Sequence, residues 1–334
     1  MKLTMEQIRA ITFGAVRVEE IDGCVHFFRF TEEQESYYQK QTYNKGFYGK
    51  TFSTAGIRLE FVTNSRTLSL KIETRQTPTN VTRKYLFVSV FCNGQKLGLV
   101  GSDTTAEGVF ADSYTLPEGE NTVCIYLPWG VITLLHALTL DDGATLAPVQ
   151  KKCRMLQFGD SITHGYDARE PHSTYASAVA DAFSADARNK AIGGEIFQPI
   201  LGTLRDENFE PDYITVAYGT NDWAHADSKE SFVQSCRGFY QNLAATYPKA
   251  KILALTPIWR GEADEERSMG PFCTVGEVIR AVAAELPSVT VIDAYGFVPQ
   301  DPACFSPDLL HPTDLGFSHY GRNLVNALKQ YIKI

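Results

Sequence analysis

Apolar and polar positions alternate with a period of two through much of the first 150 residues. The alternation is clearest at 57–61 and again at 68–72, and a period of two is typical of half-buried strands. The dipeptide Asn93-Gly94 stands between two such runs and is characteristic of a tight hairpin turn. Many short strands at this spacing predict an antiparallel β-sandwich, jelly-roll-like in form. We also expect one helix at 31–39, capped by Thr31.

The pattern changes at Cys153, where short apolar runs begin to alternate with longer segments of helical period. Alternation of this kind predicts an α/β fold with a parallel sheet and helices on both faces. We expect its strands at 154–158, 188–192, 212–218, 251–256 and 289–293. We expect its helices at 174–186, 196–205, 229–247, 271–286 and 313–332. The change therefore predicts two domains, 1–148 and 149–334, with the linker at 141–148.

Length and composition are those of an ordinary globular protein. The chain has 334 residues, of which 44% are hydrophobic and 21% charged, and this length suits two domains. The net charge of −8 argues against a nucleic acid or an anionic membrane as partner. The sequence contains no apolar run long enough to predict a membrane span. The N-terminus lacks the apolar core of a signal peptide, which predicts a cytoplasmic protein.

The sequence suggests no cofactor. Its seven cysteines are scattered and never form a C-x-x-C pair, so neither a disulfide framework nor a zinc site is expected. His, Asp and Glu do not cluster at metal-ligand spacing, and we infer no metal. No GxGxxG fingerprint or P-loop lysine pattern predicts a nucleotide. His26 and His136 stand alone in apolar strands, and we interpret both as packed core residues.

The main chemical signal is the segment 159–165, which reads Gly-Asp-Ser-Ile-Thr-His-Gly. It follows the apolar run 155–158 and precedes an Ala-rich segment, 175–183, of helical period. Ser161 is therefore predicted where a strand turns into a helix. Free N–H groups at a helix start can receive a developing oxyanion. An Asp or Ser N-cap in an ordinary βα loop explains the same residues equally well.

Two later stretches favour the catalytic interpretation. The segment 219–222, Gly-Thr-Asn-Asp, follows a second apolar strand, and 308–312, Asp-Leu-Leu-His-Pro, lies just before the last helix. In this order, with Gly194 between the first two blocks, they resemble the SGNH (GDSL-type) hydrolase superfamily. The resemblance covers about the last 180 residues, a length suited to one domain. It implies a flavodoxin-like strand order, 2-1-3-4-5, with the active residues at the carboxyl ends of the strands.

The resemblance assigns roles to five residues. Ser161 would be the nucleophile and His311 its general base, since an imidazole titrates close to physiological pH. Asp308 would orient the His311 ring, although some carbohydrate-acting relatives use a Ser–His dyad with a backbone carbonyl. The Ser161 N–H, the Gly194 N–H and the Asn221 side-chain amide would form the oxyanion hole. The alternative for Asp308 and Asn221 is an ordinary loop or capping role.

Some of these assignments have rivals in the sequence. Gly193 competes with Gly194, which we prefer because it aligns with the family glycine that precedes an acidic residue. His164 and His172 flank the nucleophile segment and compete with His311 for the role of base. His164 lies inside the first block, where the family tolerates many residue types, so we expect it at the rim.

A small β-sandwich ahead of an SGNH domain resembles carbohydrate esterase family two, the acetylxylan esterase-like group. The resemblance implies an esterase that removes O-acetyl groups from plant oligo- or polysaccharides of the xylan or mannan type through an acyl-serine intermediate. Tyr166, Trp223 and Trp259 are predicted on loops at the same sheet edge, where they could stack on sugar rings, although packing is the commoner role of each. One alternative is a lipid or thioester acylhydrolase, lysophospholipase-like. Another is a carbohydrate-binding protein with an inactive hydrolase domain.

Overall fold

The computed structural model describes three stretches of the chain: 1–78, 85–103 and 107–334. The described residues form two compact units. These units comprise Met1–Lys151 with Ala168–Ser173, and Lys152–Asp167 with Thr174–Ile334. A helix long and apolar enough to cross a membrane is not found among the described residues.

The first unit consists of two antiparallel sheets and short helices. Its strands are β1 (Thr12–Phe13), β2 (Arg17–Ile21), β3 (Cys24–Phe28), β4 (Arg58–Thr63), β5 (Thr67–Arg75), β6 (Leu86–Cys92), β7 (Gln95–Ser102), β8 (Gly108–Thr115), β9 (Asn121–Tyr126), β10 (Ile132–Leu140) and β11 (Ala147–Pro148). Its helices are α1 (Met5–Ile11), α2 (Glu32–Lys40) and α3 (Gly46–Lys50). One sheet has the order β1-β4-β9-β6-β7, with β11 beside β4, and the other has the order β2-β3-β10-β5-β8.

Alternate residues of both sheets are buried in one core. Along β5, Leu68, Leu70 and Ile72 are buried while the residues between them are at least partly exposed. Phe61 of β4 lies in the same cluster, although it belongs to the other sheet. The predicted antiparallel sheets are therefore confirmed. The predicted helix is α2, and its cap, Thr31, accepts a backbone hydrogen bond as expected.

The segment 141–148, predicted as a linker, is part of the first unit. Its last two residues form β11, which pairs with β4. Asp141 Oδ2 accepts the backbone N–H groups of Arg66 and Thr67 at 2.6 and 3.1 Å. The prediction is wrong because small and polar residues carry no burial pattern, even where their backbone is fixed by pairing.

The second unit contains a parallel sheet surrounded by helices. Its strands are β12 (Cys153–Gly159), β13 (Ala185–Asn189), β14 (Tyr213–Ala217), β15 (Lys251–Leu255), β16 (Glu266–Arg267), β17 (Gly270–Pro271) and β18 (Val289–Ile292). Its helices are α4 (Ser161–His164), α5 (Tyr175–Ala182), α6 (Thr220–His225), α7 (Lys229–Thr246), α8 (Cys273–Ala284) and α9 (Asp314–Leu328). The sheet order β13-β12-β14-β15-β18 is the expected 2-1-3-4-5. This order confirms the predicted parallel sheet and SGNH-type fold.

Two local predictions in this unit differ from the structure. The helix expected at 196–205 is a short 3₁₀ turn, Pro199–Gly202, whose last residue packs against the backbone of α7. Pro199 supplies no N–H, which explains why no helix begins before it. The segment 220–225, expected to be a loop, is helix α6.

Candidate active site

Ser161 is the first residue of α4 and is separated from the end of β12 by Asp160 alone. Asp160 caps this helix, and its Oδ1 accepts the Ile162 N–H at 3.0 Å. Gly159 has no room for a side chain, because a Cβ there would lie 2.0 Å from Thr163 Oγ1. Capping and close packing thus account for the Gly-Asp-Ser sequence, and they hold Ser161 at the carboxyl edge of the sheet with 4% of its surface exposed.

Three side chains form a hydrogen-bonded relay. His311 Nε2 lies 2.7 Å from Ser161 Oγ, and His311 Nδ1 lies 2.6 Å from Asp308 Oδ2. The imidazole can accept the hydroxyl proton at Nε2 while the carboxylate favours the tautomer with the other proton on Nδ1. A hydroxyl, a base and a group that orients the base are the parts an activated nucleophile requires.

A tight turn brings Asp308 and His311 to the same side. Asp308 Oδ1 accepts the N–H groups of Leu310 and His311, both at 3.0 Å. Leu309 between them has a φ of 49°, in the left-handed region. Partial burial acts to raise the pKa of Asp308, but the hydrogen bonds from His311 and Leu310 outweigh it, so this pKa lies well below its usual range. Asp308 is therefore a carboxylate at neutral pH.

Gly194 and Asn221, predicted for the oxyanion hole, lie on a loop and on helix α6, and a hydrogen bond joins the two elements. Asn221 is in the first turn of α6, and its Nδ2 donates to Glu195 O at 3.0 Å. An amide has two N–H groups, so Asn221 can hold this loop and still donate to a reacting oxygen. Gly194 is partly exposed with a φ of 90°, whereas a Cβ on buried Gly193 would lie 2.4 Å from the Tyr166 ring. The geometry favours Gly194, and the oxyanion roles stay predictions.

A buried carboxyl group directly adjoins each of Ser161, Gly194 and Asn221 in the sequence. Asp160, Glu195 and Asp222 are each at most 3% exposed. Burial raises the pKa of Asp160 to about 6 and that of Asp222 to about 7. Asp222 Oδ1 accepts the Phe197 N–H at 2.9 Å, which is a second bond between α6 and the 193–198 loop.

Trp223, predicted to stack on a sugar ring, is fully buried. Its Nε1 donates to Gly270 O at 2.9 Å, and the Arg267 guanidinium lies 4.1 Å from its ring centroid. The prediction is wrong because 220–225 forms a helix, and the indole faces the interior instead of lying on a loop.

The other two predicted aromatic contacts differ in exposure. Tyr166 is only 8% exposed, and its ring stacks on that of His311 with centroids 5.7 Å apart, so it packs against the relay histidine. Trp259 is partly exposed, and its ring contacts Phe305 at 5.3 Å. Trp259 therefore keeps the exposed surface that a sugar contact needs, and its role stays a prediction.

The rival histidines have other partners. His164 is 1% exposed, and its ring packs against Tyr166 with centroids 5.2 Å apart. His172 belongs to the segment assigned to the first unit, where its ring lies 4.7 Å from that of Phe91. The histidine bonded to Ser161 is His311.

A second carboxylate near His311 was not predicted. Ligand atoms of Asp167, Asp308 and His311 all lie within 4.8 Å of one another. Asp167 directly follows Tyr166 and has a φ of 69°. The only sequence signal is an acid six residues after Ser161, and such a residue is too common to single out.

A cluster of potential metal ligands in the first unit was also missed. Cys24 Sγ lies 3.5 and 3.7 Å from the two ring nitrogens of His136, and His136 Nε2 lies 2.8 Å from Glu73 Oε2. These atoms, like those of Asp167, Asp308 and His311, are close enough together to hold an ion. The interpretation of His136 as a packed core residue is wrong, because a register shift between Leu135 and Ala137 leaves it partly exposed.

Part of the chain matches a known protein family. Residues 158–318 match the GDSL-like Lipase/Acylhydrolase family, and this range includes Ser161, Asp308 and His311. This part of the chain is a GDSL-like acylhydrolase domain. The family description, lipase or acylhydrolase, supports a carboxylic ester hydrolase as the class of enzyme. No curated protein sequence matches the chain.

Solved structures resemble nearly the whole chain. The salicylyl-acyltransferase SsfX3 from a tetracycline biosynthetic pathway has a TM-score of 0.80 at 23% identity, covering 96% of this chain and 94% of that one. A protein from Bacteroides ovatus described as a GDSL-like lipase has a TM-score of 0.73 at 18% identity, with coverages of 99% and 97%. A family two carbohydrate esterase from Cellvibrio japonicus has a TM-score of 0.65 at 15% identity, with the same coverages. At these identities the likeness is one of fold.

Proposed function

We propose that the protein is a serine esterase that removes O-acetyl groups from carbohydrates through an acyl-serine intermediate. The observation that carries the proposal is the relay from Asp308 through His311 to Ser161 Oγ. The carbohydrate substrate is supported by the fold shared with family two carbohydrate esterases.

In the proposed mechanism, Ser161 Oγ attacks the acetyl carbonyl carbon while His311 Nε2 takes the hydroxyl proton. The oxyanion that forms accepts hydrogen bonds from the N–H groups of Ser161 and Gly194 and from the Asn221 amide. As the tetrahedral intermediate collapses, the C–O bond to the sugar breaks and His311 returns the proton to the departing sugar oxygen. Water then attacks the acyl-serine with His311 again as base, which releases acetate and restores the enzyme.

Burial of the relay supports a small acyl group. Ser161 is 4% and His311 7% exposed, and the Tyr166 ring covers one face of the imidazole. Additional methylenes on the acyl group would have to fit beside groups that are already closely packed, and overpacking is costly.

Chain-length preference tests this proposal. We expect p-nitrophenyl acetate to be hydrolysed with a higher kcat/KM than the butyrate and far higher than the octanoate, and acetate to be released from acetylated xylo- or manno-oligosaccharides. Faster turnover of octanoate would instead support the lipid acylhydrolase alternative. Absence of turnover on all of these esters by folded protein would support the inactive, carbohydrate-binding alternative.

A second candidate is transfer of the acyl group to a hydroxyl acceptor other than water. It is supported by the fold shared with a salicylyl-acyltransferase along 96% of this chain. Both reactions proceed through the same acyl-serine, so added acceptor alcohols separate them. Transfer predicts an ester product that grows with acceptor concentration at the expense of free acid, whereas hydrolysis predicts free acid alone.

We also propose that residues 149–334 act as the catalytic domain and 1–148 as a jelly-roll-like accessory domain. The jelly roll is supported by the strand orders β3-β10-β5-β8 and β4-β9-β6-β7, which are those of two interleaved Greek keys. A sandwich ahead of the catalytic domain could contribute carbohydrate affinity. Equilibrium binding of acetyl-free oligosaccharides to the full chain tests that contribution.

A further inference from the structure

The loop after β15 contacts the turn that carries His311. Gly261 N–H donates to Leu309 O at 2.8 Å. A Cβ on Gly261 would lie 2.6 Å from Leu309 Cβ and 3.0 Å from its Cδ1, so the two backbones meet where only a glycine fits. Two residues earlier, the Trp259 ring contacts that of Phe305, which is bridged to Pro312 on the far side of the same turn.

The residue between Trp259 and Gly261 contacts the helix that carries Asn221. Arg260 is 8% exposed, and its Nη1 donates to Thr220 O at 3.1 Å and to Thr220 Oγ1 at 3.3 Å. Thr220 is the first residue of α6 and directly precedes Asn221. The other guanidinium nitrogen, Nη2, donates to Glu262, which fixes the direction of the side chain.

We propose that the 259–261 segment is a positioning element that sets the Asp308–His311 turn and the start of α6 in place relative to each other. The proposal rests on the proposed function, in which the turn supplies the base and α6 an oxyanion donor. The two groups must act on one carbonyl, and a misplacement of about 1 Å can cost about 100-fold in rate. Within these three consecutive residues, Trp259 and Gly261 contact the turn and its flank while Arg260 contacts α6, so one short stretch of backbone connects the two elements.

Gly261→Ala tests the contact with the base turn. The new Cβ would overlap Leu309, so we expect kcat for p-nitrophenyl acetate to fall by about 10-fold or more with KM changed less than about two-fold. Gly296→Ala is the matched control, because Gly296 also lies in a loop after a sheet strand and a Cβ there meets nothing within 4 Å. Equal kcat values for Gly261→Ala and Gly296→Ala would overturn the proposal.

A compensating substitution at Leu309 separates a loss of positioning from a general loss of structure. In the double variant Gly261→Ala with Leu309→Gly the overlap is gone, and glycine suits the φ of 49° at position 309. We expect its kcat to return to within about three-fold of Leu309→Gly alone. If Gly261→Ala does not fold, the comparison of the double variant with Leu309→Gly tests the proposal in its place. A double variant that remains as slow as Gly261→Ala, or that is slow relative to Leu309→Gly, contradicts the proposal.

Arg260→Met tests the contact with α6, with Arg267→Met as its control. Arg267 also bonds Glu262 and lies over the Trp223 ring, but its remaining bond is to Glu265. We expect Arg260→Met to lose about 10-fold in kcat and Arg267→Met less than about two-fold, with Tm reported for both. Arg260→Lys, which keeps the charge, should recover part of the loss. Equal kcat values for Arg260→Met and Arg267→Met would overturn this half of the proposal.

Failure of the positioning role and failure of the esterase proposal give different results. If Ser161→Ala abolishes turnover while Gly261→Ala and Arg260→Met resemble their controls, the esterase proposal stands and the positioning role is excluded. If Ser161→Ala retains full turnover, the proposed function itself is excluded.

Discussion

In both units of the molecule, a histidine lies between a carboxylate and a side chain with nucleophilic chemistry. In the second unit His311 uses one nitrogen for Ser161, at 2.7 Å, and the other for a carboxylate, at 2.6 Å. In the first unit His136 already uses Nε2 for Glu73, and Cys24 Sγ lies at nearly equal distances, 3.5 and 3.7 Å, from the two ring nitrogens. In the second unit the three groups are connected in line by two hydrogen bonds, one on each nitrogen of the imidazole. In the first unit they are not.

The backbone around the two nucleophilic atoms differs more than the side chains do. Ser161 is the first residue of a helix. The first N–H groups of a helix have no carbonyl partner within it, so they can face a developing oxyanion. Cys24 is the first residue of β3 and pairs with Ile21, the last residue of β2. We therefore expect that a nucleophile, a histidine and an acid do not suffice for acyl transfer, and that the strand-to-helix turn provides the oxyanion donors that the first unit lacks at Cys24.

Of the changes that test this comparison, removal of His311 should cause the largest loss of ester hydrolysis. His311→Ala leaves Ser161 without a base, so we expect kcat/KM for p-nitrophenyl acetate to fall by about 1,000-fold or more. The far-UV circular dichroism should be unchanged. Substantial residual activity would mean that another base serves Ser161, and His164 would be the first to replace.

Asn221→Ala should have the next largest effect, because it removes a proposed oxyanion donor while the relay remains. Loss of one such donor costs about 2.7–4 kcal/mol, which corresponds to about 100- to 1,000-fold in kcat. Asn221 also bonds Glu195 O, so Asn221→Asp, which can neither donate to an oxyanion nor hold that carbonyl, should be at least as slow. Activity within three-fold of wild type in Asn221→Ala would exclude the oxyanion role.

Asp308→Asn should have a smaller effect than either. We expect a loss smaller than for His311→Ala and well below the roughly 10⁴-fold that the same change costs in a strict triad, because Asp167 lies within 4.8 Å of both Asp308 and His311 and can compensate in part. The double variant Asp308→Asn with Asp167→Asn should lose more than the product of the single losses. If Asp308→Asn is as inactive as His311→Ala, a strict triad without compensation is required.

Cys24→Ser and His136→Gln should have the smallest effect, with kcat/KM within about two-fold of wild type. Both residues lie in β-strands and not at a strand-to-helix turn. The matched readouts are Tm and ester hydrolysis. A loss of activity of 10-fold or more in either variant, with Tm unchanged, would mean that the first unit contributes to catalysis. The contrast drawn between the two units would then be wrong.

Sequence patterns predicted the parallel sheet, its strand order and the segments that meet at its edge, because each depends on local periodicity or on a short motif. Helix α6 was missed because its six residues are too few to show a period. The burial of Trp223 follows from that helix and was missed with it. The proximity of Asp167 to His311 depends on how distant segments pack, which no local pattern encodes. The contact of Gly261 with Leu309 is of the same kind.

Trapping of the acyl-enzyme tests the central claim most directly. Wild-type protein mixed with p-nitrophenyl acetate, quenched in acid within the steady state and digested should carry one acetyl group on the peptide that contains Ser161. The Ser161→Ala variant, treated in the same way, should carry none and should not turn over the ester. An acetyl group found on Cys24 or on another residue, or undiminished turnover by folded Ser161→Ala, would contradict the assignment of Ser161 as the nucleophile.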